Sequence, residues 1–163
     1  MKKVIVKAAT LSLLLLLLFS LSACSAEQDE VMANENKEEK SMHTNTSKDI
    51  KVVVNDREFT ATLKDSKAAG EFYDMLPLSI EMTEMNGNEK YYVLPQALSD
   101  EDEAVGTIAN GDIMLYAGDY LVLFYEDFKT PYSYTRIGKI DDPVGLKEAV
   151  GNGNVTVDFT VAD

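Results

Sequence analysis

The 163-residue chain has no tryptophan, one cysteine and one histidine, and each shortage removes a class of chemistry. A lone cysteine cannot close an internal disulfide, so the fold must rest on its core. The lone histidine, His43, sits in a polar stretch ahead of the folded part. The rest of the chain therefore offers no imidazole for a Ser–His pair, for general base work or for a metal. Positive charge is scarce as well: 15 Lys and Arg against 28 Asp and Glu give a formal charge of -13. Such a surface repels nucleic acid and anionic lipid headgroups. No glycine-rich phosphate loop occurs, so the sequence implies neither a cofactor nor a metal.

What is present begins with a leader. Residues 1–23 carry Lys2, Lys3 and Lys7, no acidic residue, and an apolar run from Leu11 to Phe19. That run is short of the roughly 20 residues a spanning helix needs, and reads as a secretory signal. It ends Leu21-Ser22-Ala23-Cys24, which resembles the lipobox of bacterial lipoproteins, where the cysteine takes the lipid and becomes the new N-terminus. The expectation is a protein held by Cys24 on the extracytoplasmic face of a bacterial cell membrane, with two acyl chains sufficing for stable anchoring. Residues 24–48 are polar, without Tyr, Phe, Ile or Leu, and read as a disordered tether with a reach of roughly 25–30 Å.

The domain itself spans 49–163. Residues 50–54 and the alternating Phe59, Ala61 and Leu63 flank Asn55-Asp56 as a first hairpin. Asp65-Ser66 predicts the start of a helix presenting Ala68, Ala69, Phe72, Met75 and Leu76 on one face, closed by Pro77. Strands at 78–83 and 90–94 flank Asn86-Gly87, a strong hairpin signal. Residues 96–110 read as a long loop with the acidic run Asp100–Glu103, which lacks the ligand spacing of a calcium loop. The runs 113–116 and 121–125 flank Gly118-Asp119 and are apolar on both faces, so both faces should be covered. A third strand, 132–140, places Tyr132, Tyr134, Arg136 and Gly138 on one face by its period of two, and a glycine within a strand marks a bend or a close approach, which suits a barrel corner. Asp142 as N-cap, Pro143 and Gly151 bracket a second helix, and 155–161 is a last strand. Eight strands and two short helices predict a mainly β fold, a closed antiparallel barrel plugged by the helices.

The segments LPLSIEMTEMNGNEKYY, GTIANGDIMLYAGDYLVLFYEDF and YSYTRIGKIDDPVGLKEAVGNGNVTVDF resemble bacterial cyclophilin-like domains of unassigned function, over roughly residues 50–160. The motifs that carry the likeness are Asn86–Lys90, Gly111-Asp112, and Tyr134–Gly138 with Asp141-Asp142-Pro143. The resemblance implies an eight-stranded barrel capped by helices. It also implies a setting, since relatives occur beside or fused to flavodoxin-like domains. Catalysis does not come with it: the arginine-centred site of true cyclophilins is also lined by tryptophan and histidine, which this domain lacks.

The best candidate site is Arg136 with Tyr132 and Tyr134, since an arginine stacked on tyrosines can hold a carboxylate or a peptide carbonyl. If, as the resemblance implies, Arg136 mimics the arginine of a cyclophilin groove, Phe124 and Met114 would form its apolar floor; Tyr92 is a further ligand-contact candidate, with barrel wall as its plain alternative, as for Tyr91. The plain alternatives for Arg136 are an outward arginine covering aromatic surface, or one paired with Asp141 or Asp142. Three readings follow: a binding or accessory module for a peptide, a small ligand or an envelope protein; a weak prolyl isomerase working through Arg136; and an accessory to a flavodoxin-like redox partner. The first is preferred, because the catalytic set for the second is incomplete. The anchoring expectation has a direct check. Cys24→Ala should release the protein from the membrane fraction and abolish detergent-phase partitioning, and continued partitioning would refute it.

Overall fold

The computed structural model describes residues 48–162. The leader, Cys24 and all of the tether but Lys48 lie outside the described residues. The chain runs β1 (Asp49–Val54), β2 (Arg57–Leu63), α1 (Lys67–Asp74), β3 (Leu78–Met85), β4 (Glu89–Val93), β5 (Glu103–Ala104), β6 (Thr107–Ile108), β7 (Asp112–Tyr116), β8 (Tyr120–Phe124), β9 (Phe128–Lys129), β10 (Ser133–Ile140), α2 (Leu146–Val150) and β11 (Val155–Val161).

Eight strands pair antiparallel in the order β2-β1-β11-β3-β4-β8-β7-β10, and β10 returns to β2 to close the ring. This is the closed barrel the strand count predicts. A ring of eight strands has an interior just wide enough to be filled by side chains. Ile50, Val52 and Val54 of β1, Val155, Val157 and Phe159 of β11, and Leu121 and Leu123 of β8 fill it together with the buried faces of both helices. Between β1 and β2 the two turn residues, Asn55 and Asp56, both adopt positive φ (46° and 64°). That geometry matches the strand twist and tolerates Asn and Asp.

The helices close the two ends. Ser66 caps α1 by accepting a hydrogen bond from the Ala69 amide at 3.2 Å, and Phe72 meets Phe159 edge-to-face with ring centroids 5.5 Å apart. The Asn55 side chain donates to the Ala149 carbonyl at 2.8 Å. This places α2 against the β1–β2 turn, at the far end of that hairpin from the start of α1.

Three local expectations are corrected. Asp142 does not cap α2: its Oδ1 accepts from the Val144 amide in the preceding turn, and the helix starts only after Gly145, whose left-handed φ of 82° interrupts any earlier helical turn. The long loop 96–110 contains β5, paired to β10, and β6, paired to β9. In β10 the register slips between Arg136 and Gly138, a β-bulge. Tyr134 and Arg136 stay on the outer face, but the extra residue turns Ile137 and Gly138 both inward and puts Lys139 outside.

Gly138 is needed where it stands. A Cβ there would lie 2.7 Å from the Thr62 carbonyl and 2.9 Å from a Leu63 methyl. Backbone cannot step aside as a flexible side chain can. Gly138→Ala should therefore destabilise the domain by about 2–3 kcal/mol, the upper range for overpacking, read as a shift in the urea midpoint with an unchanged slope.

Candidate functional site

The outer faces of β4, β8, β7 and β10 are covered by a second, smaller core. Ile108, Met114, Val122, Phe124 and Tyr134 are buried together, with Tyr91, Val105 and Phe128 against them. The β6–β9 pair and its flanking loops form the cover. This is why β7 and β8 are apolar on both faces: one set of side chains fills the barrel, the other the layer outside it.

Beside that cover lies a cleft of about 470 Å³, within the usual range for small-ligand sites. Tyr91, Tyr116, Tyr120, Tyr132 and Tyr134 wall it, with Val122 and Phe128 between them and Asn86, Asn88 and Glu89 at one end. The tyrosines form a linked set, with centroid separations of 6.0 Å for Tyr91–Tyr120, 6.3 Å for Tyr116–Tyr120, 6.1 Å for Tyr116–Tyr132 and 5.6 Å for Tyr116–Tyr134. Tyr134 is buried, whereas Tyr132, Tyr116 and Tyr120 are 58%, 42% and 38% exposed. Much ring surface is therefore left without a partner. Two other depressions, each about 490 Å³, are walled by groups that already bind one another or the backbone: Glu71 with Ser99 in one, Arg57 with the Gly145 carbonyl in the other.

The structure sorts the residues singled out in the sequence. Tyr132 and Tyr134 line the cleft, and Met114 and Phe124 lie buried beneath it in the second core. Tyr92 does not join them: one residue on from Tyr91, it turns the other way and packs on the barrel core. Arg136 shares the outer face but stands outside the cleft wall. Its Nε donates to Glu103 at 2.7 Å, and its guanidinium lies 3.8 Å from Asp112, which Lys139 also approaches at 3.8 Å. The arginine thus pins β5 to β10, and its partners are neither Asp141 nor Asp142. The sequence does not single out Tyr116, Tyr120 or Glu89, and it presents Tyr91, like Tyr92, as barrel wall. Tyr116 and Tyr120 flank the β7–β8 turn, and alternation within β4 was the one available signal for Tyr91 and Glu89.

The acidic run is absorbed into the frame. Glu101 accepts from the Ala68 amide at the start of α1, Asp102 accepts from the Thr135 hydroxyl, and Glu103 holds Arg136. Among the described residues no acidic or histidine cluster is arranged to hold a metal.

At the end of the barrel near α2 lies a buried polar knot. The ammonium of Lys90, wholly buried, donates to Glu84 and to the carbonyls of Gly151 (2.8 Å) and Gly153 (2.7 Å). The Tyr125 hydroxyl lies 2.8–2.9 Å from both Glu84 oxygens. All three Lys90 protons are used, so this lysine ties the β3–β4 hairpin to the loop after α2.

The cyclophilin-like family matches residues 52–160. The chain belongs to the cyclophilin-like family. The solution structure of a hypothetical protein from Archaeoglobus fulgidus is similar to this cyclophilin-like domain, with a TM-score of 0.56 and 20% identity over 74% of this chain and 99% of the other. At that identity the likeness speaks for the fold alone. No curated protein matches the chain significantly.

Titration of the site follows from its surroundings. Burial pushes the Tyr134 hydroxyl upward; the Thr130 hydrogen bond opposes this and the charge of Glu89 adds to it. Burial also raises the Glu89 carboxyl, with further repulsion from Glu84. For Glu84 burial again acts upward, but the hydrogen bonds from Lys90, Tyr125 and the Gly87 amide together outweigh it and hold the carboxyl low. A carboxyl held low in the fold contributes stability above the ordinary carboxylate range, and that contribution is lost as pH falls through the folded value. Glu84→Gln should therefore lower the urea midpoint near neutral pH, with the gap to wild type narrowing as pH falls toward 3. Glu89→Gln should do the reverse: a raised carboxyl costs stability when it ionises, so this variant should gain relative to wild type as pH rises from about 4 to 7.

Proposed function

We propose that this chain is a membrane-anchored, extracytoplasmic binding module that uses the tyrosine-walled cleft on the outside of its barrel to hold a small ligand or a side chain of a partner peptide. One observation carries the reading: four partly exposed tyrosine rings converge on one concave site. Exposed aromatic surface in a pocket is the usual basis of recognition, since it offers large contact area at low entropic cost. The lipobox-like segment ending at Cys24 supports the anchoring part.

The chemistry available also favours holding over turnover. Two titratable groups of the cleft, Tyr134 and Glu89, are shifted toward their neutral forms. The cation that an isomerase reading needs, Arg136, is engaged by Glu103 and lies beyond the cleft wall.

The test is chemical-shift mapping of the soluble domain with a panel of N-acetyl amino-acid amides. At least one member should shift Tyr91, Tyr116, Tyr120 and Tyr132 together. The double variant Tyr116→Ala/Tyr132→Ala should weaken that binding at least tenfold without moving the thermal midpoint by more than a few degrees. A panel that leaves all four tyrosines unmoved would refute the reading. Exchange spectroscopy on a Xaa-Pro peptide should show no acceleration, and acceleration lost in Arg136→Ala would replace binding with isomerisation.

A further inference from the structure

We infer that the ligand of the tyrosine cleft is an organic ammonium ion that still carries an N–H; this rests on the binding reading above and specifies its chemistry. Three features of the cleft point the same way, and each would be costly or idle for a ligand of another class.

The first is Glu89. It stands on the outer face of β4, half-buried at one end of the cleft. Among the described residues it belongs to none of the ion pairs, unlike its neighbour Glu84, which Lys90 neutralises. A carboxylate held in a partly desolvated place without a counter-ion gains most when a cation arrives. Its raised titration has that cause, since burial and the charge of Glu84 both disfavour its ionised form.

The second is the set of tyrosines. A cation within about 6 Å of an aromatic centroid is attracted by the ring quadrupole. Consecutive rings here are 5.6–6.3 Å apart, so a single small cation can lie within range of two or three at once. A carboxylate beside several aromatic faces suits an organic ammonium. A hard metal ion would need more oxygen ligands, and no metal-holding cluster exists among the described residues.

The third is Asn88, which also lines the cleft. Its Oδ1 is buried and has no hydrogen-bond partner. A buried acceptor left unpaired costs about 1–3 kcal/mol, so it is rarely left without purpose. A turn of the Asn88 side chain toward the cleft would let Oδ1 accept an N–H, and Glu89 accepts one where it stands; a fully alkylated ammonium has none to give. A neutral ligand, even one with a donor, would leave the charge of Glu89 without a counter-ion. An anion would meet Glu89 directly, with Arg136 already taken by Glu103 and Asp112. Lys129 is the contrary charge at the rim. It is exposed and makes no ion pair among the described residues, so it does not neutralise Glu89. The net charge of -13 adds a field that draws cations toward the domain.

The experiment titrates the soluble domain with butylammonium, with butanol as the neutral chain of equal length, and with trimethylbutylammonium, following the cleft tyrosine resonances. Butylammonium should bind at least tenfold more tightly than butanol and several-fold more tightly than the trimethylated ion. Glu89→Gln should weaken butylammonium about tenfold and leave butanol unchanged. Lys129→Ala should tighten butylammonium about threefold. An N-acetyl-lysine amide arm separates sources of the same chemistry: tighter binding than butylammonium marks a peptide lysine, equal binding a free amine. Butanol binding as well as butylammonium, or Glu89→Gln without effect, would overturn the ammonium inference and leave a binding cleft standing. Saturating butylammonium, butanol and lysine amide that all leave the cleft tyrosines unmoved would overturn both.

Discussion

Closure of the ring at β10 is the constraint on which the rest of this domain depends. β10 must pair with β7 along one edge from Thr135 to Lys139 and with β2 along the other from Gly138 to Ile140, and β5 pairs with its start at Ser133 and Tyr134. A strand that serves neighbours lying in different directions has to bend, and the bulge between Arg136 and Gly138 is where it does so. The bend brings the β10 backbone so near the Thr62 carbonyl that no side chain fits, hence the glycine. The bulge also sets the outer electrostatics. By adding one residue it places Arg136 and Lys139 on the same side, where both face Asp112. Asp112 in turn accepts the Ala109 amide through its other role as a turn-former, so the loop ahead of β7 is fixed to the same centre.

From that closure the two-layered wall follows. With the barrel sealed, the inward side chains of β7 and β8 complete the main core, and their outward side chains need a second cover. β6 and β9 supply it, at the cost of leaving one border of the layer open. The cleft is that border: Tyr134 is roofed, whereas Tyr116, Tyr120 and Tyr132 stand at the edge where the roof stops. Its position is thus a consequence of where two short strands run out, and its aromatic character comes from side chains that must be half in and half out of an apolar layer.

Much of this was legible in the chain. Asn55-Asp56, Asn86-Gly87 and Gly118-Asp119 mark their hairpins because positive φ is needed there, although the last turn in fact uses Ala117 and Gly118 for it. Alternation and apolar runs identify the eight barrel strands, and double-sided runs foretell a second layer. What was not legible depends on partners distant in sequence. Gly138 marks the bend and the close approach in β10, but a period of two cannot show the added residue, so it puts Gly138 on the face of Arg136. Two-residue strands such as β5 and β6 are too short for any period. Asp142 has the residue type of a cap, and only Gly145 with the Arg57 side chain packed on it shows why the helix starts later. At the site, strand periodicity points to Tyr132 and Tyr134, whereas Met114 and Phe124 come only from the likeness to a cyclophilin groove. Tyr91 and Tyr92 are adjacent, and choosing between them needs the barrel's inside and outside, which only register decides.

The charge pattern explains why such a site would favour one sign of ligand. The described cations are almost all committed. Lys90 is sealed in its knot with Glu84, Arg136 and Lys139 converge on Asp112, and Lys51, Lys67 and Lys147 pair with Glu58, Glu71 and Glu126. Arg57 is spent on the Gly145 carbonyl, and Lys48 lies over the Tyr73 ring. The domain thus neutralises its carboxylates where the frame needs them and leaves the surplus elsewhere. At exposed places that surplus is solvated and costs little. At Glu89 it is partly desolvated, next to tyrosine faces that also favour positive charge and a buried amide oxygen with nothing to accept. Relief of that desolvation by an incoming N–H cation is a gain that exists only in the bound state, which is what makes a frustrated patch into a binding site.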